Sequence, residues 1–446
     1  MQGSLGNVST GREPSLFFSR SLVGIGGRIK CEPEDFRVDE IALYAPSGEG
    51  PQLLLRIEKR GMTTHEAVQH LSRAFHIPER DVGFAGIKDS RAVTTQWMSV
   101  PAACESRLAA LDHPWLKIRE QVRHAHKLRV GELDGNRFEI VVRELVGPVE
   151  VALENARAIV ALLAKRGVPN WFGEQRFGTK GDSDLLGKAL VRSDCAEALA
   201  LFLGRPAPQE HDPRIRAARR HFDEGDLAAA LASYPPRLRT EATVLNAYRE
   251  HKDPFRALMK IPKRLRLLFL SAYQSRLFNR CLAARFDSLD RILEGDVVVR
   301  HATDRAYPAG DLAQDQARAD RFEISPAGPL FGPGLLRPRG EAARAEEAVF
   351  AAEGLDLEER RQVFPDLHLR GERRAYRFPL RDATVDPIED GRGRGLVVRF
   401  TLPRSCYATV VLAELMKDAA AAQAIEAEKE SESEGEGDAE IRSTPA

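Results

Sequence analysis

Phe84-Ala85-Gly86-Ile87-Lys88-Asp89-Ser90-Arg91 is a glycine-entered polar loop set between two apolar stretches. It offers one carboxylate, Asp89, flanked by two cations, Lys88 and Arg91. Nearby positive charge favours the ionised form of a carboxylate, which a carboxylate nucleophile requires. The same residues also suit a surface turn with an ordinary ion pair, and local chemistry leaves both readings open.

Outward from this loop the pattern alternates between strand and helix. Asp35 to Glu40 alternates as a strand should, and Leu53 to Ile57 reads as a buried strand. Between them, Pro46-Ser47-Gly48-Glu49-Gly50-Pro51 is turn chemistry, which predicts a hairpin. Thr63 and Glu66 make a capping box for a helix lined by Ala67, Val68, Leu71, Ala74 and Phe75, ended by Pro78. Beyond the loop, Thr95 to Val100 reads as a strand. So does Arg137 to Glu144, entered through a turn at Asp134-Gly135-Asn136. Val151 to Arg166 reads as a helix ending near Gly167. Gly395 to Leu402 is strand-like and stopped by Pro403, and Tyr407 to Lys417 reads as an amphipathic helix. The middle differs. From about Cys195 to Arg266 the chain is rich in Ala, Leu and Arg and punctuated by Pro206, Pro213, Pro235 and Pro262. A long helix should start at Pro262 and run toward Phe286. Residues 291 to 340, richer in Val, Gly and Pro, suggest short strands and loops. Strand-rich ends thus bracket a helical insertion, as though two halves of one sheet were separated in sequence.

Two further runs carry possible chemistry. Asn170-Trp171-Phe172-Gly173-Glu174-Gln175-Arg176-Phe177-Gly178 interleaves three aromatics with an amide, a carboxylate and a guanidinium. Aromatics stack on bases, Arg binds phosphate, and Asn or Gln reads base edges. A buried aromatic turn with Glu174 paired to Arg176 is the alternative. Lys30-Cys31-Glu32-Pro33-Glu34-Asp35-Phe36 places a lysine before a strand that carries an aromatic, for which core packing of Phe36 is the plainer reading. Arg119 to Arg129 holds Arg119, Arg123, Lys127 and Arg129; it suits either a phosphate backbone or a solvated face.

Composition narrows the class. The chain of 446 residues is 43% hydrophobic and 30% charged, ordinary for a globular protein of two or three domains. No run reaches the roughly 20 apolar residues of a membrane helix, and Met1 to Pro14 has no apolar signal region, so a cytoplasmic protein is expected. The five cysteines form no CxxC pair, and His124 and His126 have no ligand partners at metal spacing, so no metal is expected. The net charge of zero conceals a Glu- and Ser-rich tail. Without residues 425–446, 64 basic stand against 58 acidic side chains, a body of net +6 that suits a polyanion.

The ordered runs together resemble the TruD family of tRNA pseudouridine synthases. The resemblance rests on Lys30-x5-Phe36, Phe84-Ala85-Gly86-x-Lys88-Asp89-x-x-Ala92-Val93-Thr94-x-Gln96 and Gly135-Asn136-x-Phe138. It continues in Val168-Pro169-Asn170-x-Phe172-Gly173-x-Gln175-Arg176-Phe177-Gly178, in Ser271 to Asn279, and in Ala408-Thr409-x-x-Leu412-x-Glu414-Leu415. It implies a mixed α/β fold: a pseudouridine synthase catalytic domain (1–195 and 375–423) with an inserted α/β TRUD domain (196–374) in a V-shaped arrangement. Residues 424–446 would be a disordered acidic tail. It further implies isomerisation of uridine, at position 13 of tRNA, without metal or cofactor, by a monomer. Asp89 would be the nucleophile and Lys30 its cationic partner. Phe36 would stack on the base, Phe172 would stand where other such synthases carry a tyrosine, and Asn170 would bond the substrate or order its loop. Lys88, Gln175 and Arg176 would complete the substrate-binding set. Trp171, Tyr407 and Pro51-Gln52 depart from the family pattern without touching Asp89. Three rival functions remain at this level: an RNA-binding or RNA-folding protein in which modification is secondary, a pseudouridine synthase acting on another RNA, and a hydrolase releasing uracil.

Overall fold

A computed structural model describes residues 16–178, 180–208, 210–355 and 369–417, the side chains of Glu174 and Gln175 excepted. The expected acidic tail and the segment Met1 to Pro14 lie outside the described residues. Strands β1 (Gly26–Arg28), β2 (Phe36–Ala42) and β3 (Gln52–Arg60) precede helix α1 (Thr64–Phe75). Strands β4 (Gly83–Phe84), β5 (Val93–Pro101), β6 (Leu116–His124) and β7 (Leu133–Leu145) follow. All seven join one nine-stranded sheet, whose remaining two members are β14 (Arg381–Asp390) and β15 (Gly393–Pro403), at the other end of the chain. The spine of the sheet runs β14-β15-β7-β2-β5-β3-β6.

This order corrects the expected hairpin. β2 and β3 are not neighbours, because β5 lies between them, parallel to β2 and antiparallel to β3. The turn-rich 43–51 link therefore steps across a strand, a distance of about 10 Å, instead of reversing on itself. Asp134-Gly135-Asn136 is likewise not a turn. It lies inside β7, with Gly135 facing both Pro403 and Ile41, and the register shifts at Ile41/Ala42 on the partner strand. A carbon added at Gly135 would lie 2.3 Å from the Leu402 carbonyl, so the close strand approach explains the glycine.

Local signals were more dependable. Thr63 caps α1 with the reciprocal Glu66 bond, and His76 ends the helix in the left-handed conformation, two residues before Pro78. Its apolar face (Ala67, Val68, Leu71, Phe75) packs on Leu53, Leu55 and Ile57 of β3. Phe75 is fully buried, and cutting it to Ala would cost about 3–5 kcal/mol. On the other half of the sheet, α2 (Val149–Arg166), closed by Gly167 at φ 86°, lays Ala152, Ala156, Ile159 and Leu163 over Phe138, Ile140, Val398 and Phe400.

After β8 (Val168–Pro169) the chain enters helices α3 (Ser183–Val191), α4 (Cys195–Leu203), α5 (Pro213–Asp223), α6 (Leu227–Ser233), α7 (Arg239–His251) and α8 (Pro254–Leu258). Their apolar faces form a separate core, in which Leu186 and Leu190 of α3 meet Leu199, Val244, Leu258 and Phe269. Helix α9 (Lys263–Ala284) begins one residue after Pro262, which serves as its N-cap. It links the two cores: Phe269 and Leu270 belong to the helical one, Phe278, Cys281 and Leu282 to the sheet's.

Strands β9 (Val297–Arg300), β10 (Arg305–Pro308), β11 (Ile324–Leu330) and β12 (Glu372–Ala375) make a second sheet ordered β10-β9-β11-β12. Between its strands lie helices α10 (Leu312–Asp320), which the composition of 291 to 340 did not suggest, and α11 (Gly340–Ala352). β13 (Arg377–Phe378) then pairs with β8 and returns the chain to the large sheet. The last helix, α12 (Ala408–Met416), was expected to be amphipathic. It is instead buried on nearly every side, even Glu414, whose carboxylate accepts the backbone N–H groups of Phe18 and Ser19. Among the described residues no helix is long and apolar enough to cross a membrane.

Candidate active site

The loop between β4 and β5 carries Asp89, and the structure brings Lys30 to it. Lys30 follows β1 and holds φ 56°, a left-handed conformation that costs a non-glycine residue energy and is kept where the surroundings over-determine it. Its Nζ donates to Asp89 Oδ2 and lies 4.6 Å from the Phe36 ring centroid. Asp89 Oδ1 accepts the Arg91 backbone N–H at 3.0 Å. The Lys30 side chain is 2% exposed and that of Asp89 17%, so this is a sheltered pair whose carboxylate is the more accessible partner. Phe36, at the start of β2, is 4% exposed, with Phe138 against its edge. A base can stack on it only if the Lys30 ammonium moves aside.

Lys88 is not part of this group. Strand parity puts Glu40 of β2 on the same buried side as Phe36 and Val38, and Lys88 Nζ donates to its carboxylate inside the protein. Glu40 also accepts the Trp97 backbone N–H at 3.0 Å. Lys88 thus forms a buried ion pair beneath the loop. A lysine overlooked in the sequence supports the loop instead. Lys59, fully buried in β3, donates to the carbonyls of Met62, Lys88 (3.4 Å) and Asp89 (2.8 Å). Burial pushes its ammonium down to about 7, against the pull of the Asp89 charge. Its parity with Leu55 and Ile57 is the signal in the sequence that could have found it.

Asn170 and Phe172 form a second group with residues the sequence did not single out. Asn170 is buried. It donates from Nδ2 to the Ala375 carbonyl (2.8 Å), and its Oδ1 accepts from Arg374. Both ends of the amide are thus used within the protein, which favours the loop-ordering role over direct substrate bonding. Phe172 is held by Asn279 of α9, which accepts its N–H and donates to its carbonyl, both at 2.9 Å. The Arg374 guanidinium lies 4.3 Å and that of Arg176 5.7 Å from the Phe172 ring centroid. Arg176 donates to Ser271 and Ser275 of α9. The side chain of Gln175 lies outside those described. Phe36 and Phe172 belong to the same hydrophobic core, so both groups border one packed unit.

Arg119 and Arg123 of the basic run are taken up by Glu58 and Glu105 on the strand surface. His124 is buried, stacked 5.2 Å from Tyr44. Among the described residues no cluster of three or more His, Cys, Asp or Glu is placed to hold a metal ion.

A mixed α/β protein that shelters a lysine-paired carboxylate, with an aromatic flanked by guanidiniums on the same core, defines a nucleotide-directed class of site. The comparisons specify it. A family model described as tRNA pseudouridine synthase D (TruD) matches residues 15–415. The tRNA pseudouridine synthase D of Geobacter sulfurreducens is 43% identical over 404 residues, covering 90% of this chain and 97% of its own. That of Anaeromyxobacter sp. strain Fw109-5 is 41% identical over 398 residues, with 89% and 94% covered. A crystal structure titled as a TruD-type synthase from Methanosarcina mazei superposes with a TM-score of 0.82 at 29% identity, covering 92% of this chain and 97% of that one. This chain belongs to the tRNA pseudouridine synthase D (TruD) family.

Proposed function

We propose that this protein isomerises uridine to pseudouridine at position 13 of tRNA, with Asp89 as nucleophile acting on a base taken out of its stack. Family membership makes it a pseudouridine synthase, an isomerase. The observation that carries the finer reading is the sheltered Lys30–Asp89 pair over Phe36, a carboxylate held beside a cation and more accessible than it.

The chemistry breaks the N1–C1′ bond of uridine and forms a C5–C1′ bond. C5 loses a proton and N1 gains one, so atoms and electrons balance within the substrate and no oxidant or cofactor is needed. Extruding the base costs a few kcal/mol, least where pairing is weak. Lys30 orients the carboxylate and compensates its charge. The Lys59 ammonium, bound to the Asp89 carbonyl, fixes the loop that aims it. Phe172 has no hydroxyl, so the C5 proton leaves to another group or to water. The catalytic unit comprises 1–195 and 375–423 and the inserted domain 196–374. The protein acts in the cytoplasm as a monomer.

The test is incubation with unmodified tRNA and chemical mapping of pseudouridine, beside Asp89→Asn. Pseudouridine at position 13 with wild type and none with the variant is expected. Equal modification by both would falsify the nucleophile assignment, and a loss of mass from the RNA would indicate uracil release instead.

A further inference from the structure

We propose that Arg374 and Arg176 form a phosphodiester-binding site around Phe172, which grips the RNA backbone beside the base being isomerised. The proposal rests on the pseudouridine synthase reading for the identity of that base, and on the charge pattern for the site itself.

Several buried cations of this protein are matched by carboxylates. Arg143 is shared between Asp35 and Asp390, Arg285 sits on Asp296, and Arg373 on Glu346. Arg374 and Arg176 differ. Arg374 donates from Nη2 to the Asn170 amide oxygen and the Ser405 carbonyl (3.1 Å), and its Nε is buried with no partner. Its Nη1 makes no hydrogen bond to a described residue. Arg176 donates only to the Ser271 and Ser275 hydroxyls. Neither has a carboxylate partner among the described residues, yet both lie against one aromatic ring. Burial and the charge of Arg176 press the Arg374 guanidinium toward losing its proton. Arg377 also lacks a carboxylate, but it is 1% exposed and spends both Nη atoms on the carbonyls of Arg166 and Ala319. It is a sealed structural arginine. Arg374 is only half-buried, with donors to spare.

Two like charges held against one ring, with no carboxylate hydrogen-bonded to either among the described residues, cost energy that an anion would return. A phosphodiester carries one negative charge on two oxygens, which a guanidinium fork matches. Phe172 is itself 9% exposed and packed in the core, so the recognising groups are the two guanidiniums on its ring, and a backbone phosphate is the anion an RNA substrate brings to them. Asn170 then acts as a positioning residue, steering Arg374 from its amide oxygen.

The experiment is phosphate-ethylation interference on unmodified tRNA with full-length wild type, Arg374→Gln and Arg374→Lys, combined with Kd against salt. Ethylation neutralises one phosphate at a time, so its map reads charge contacts without requiring turnover. Arg374→Gln should bind about tenfold more weakly, and the slope of log K against log salt should flatten by about 0.7. Interference should vanish at one linkage within two nucleotides of the modified uridine and persist elsewhere. Arg374→Lys, which keeps the charge, should retain that interference, a result that mere loss of packing does not produce. An interference map unchanged in Arg374→Gln overturns the proposal, as does wild-type affinity. Should wild type make no pseudouridine while the map changes as expected, the enzymatic reading falls and the anion site stands. Should pseudouridine form while the map stays fixed, the reverse holds.

Discussion

The two groups of site residues handle charge in opposite ways. Around Asp89 the lysines are committed: Lys30 pairs with the carboxylate, Lys88 with Glu40, and Lys59 donates to three carbonyls. Around Phe172 two guanidiniums donate to hydroxyl, amide and carbonyl oxygens and to no carboxylate among the described residues. The contrast separates work done within the protein from work done on a ligand. A reacting carboxylate needs a fixed, compensated setting before substrate arrives, whereas a binding surface for a polyanion keeps its cations uncommitted.

The sharpest way to break this contrast is Asp89→Asn. Modification should fall by at least about 10⁴-fold, while tRNA Kd stays within about threefold; a large affinity loss would place Asp89 among the binding residues. Next in size is Lys88→Met. It leaves the buried Glu40 charge alone and should cost about 3–5 kcal/mol in urea unfolding. Its kcat, measured where the variant is folded, should drop far less than that of Asp89→Asn.

Lys59 gives a pH test with a definite sign. An unfolded lysine titrates near 10.4, and in the folded protein Lys59 is pushed down to about 7, with Asp89, Lys88 and Glu66 as its charged neighbours. Between those pH values the unfolded chain holds one more proton, so stability rises as pH climbs through the window and falls as pH drops toward 7. The Lys59 share of that slope approaches about 1.4 kcal/mol per pH unit. Denaturant melts from pH 7 to 10 should lose that share in Lys59→Met, and an unaltered slope would show that Lys59 stays charged throughout. The smallest effect belongs to Arg119→Gln with Arg123→Gln. Both arginines already face exposed carboxylates, so the salt slope of tRNA binding should change by less than about 0.3, against about 0.7 for one lost phosphate contact.

What could be read from sequence was local or carried by motif. The α1 capping box, the α2 stop at Gly167 and β15 ending at Pro403 all depend on neighbours a few residues away. The hairpin failed because β5, about 40 residues further on, wins the space between β2 and β3, and no local signal encodes a parallel insertion. Asp89 and Lys30 could be named from motif, and the structure sets them together. Lys88 turns away from Asp89 despite their adjacency in sequence, because the partner deciding its direction, Glu40, lies 48 positions away. Arg374 was missed because Glu372-Arg373-Arg374 reads as a solvated run, and only the fold turns one arginine onto Glu346 and the next onto Phe172.

The split of the large sheet also governs how this chain can be made. β15 pairs with β7 over eight positions, yet about 250 residues separate the end of one from the start of the other. At synthesis rates of roughly 5–20 residues per second, β7 waits on the order of 10–50 s on the ribosome with one edge unpaired. The helical core is complete well before then. The core between α1 and β3, drawn from residues 53–116, is complete earlier still, so the large sheet is closed only by its last strand in sequence, β15.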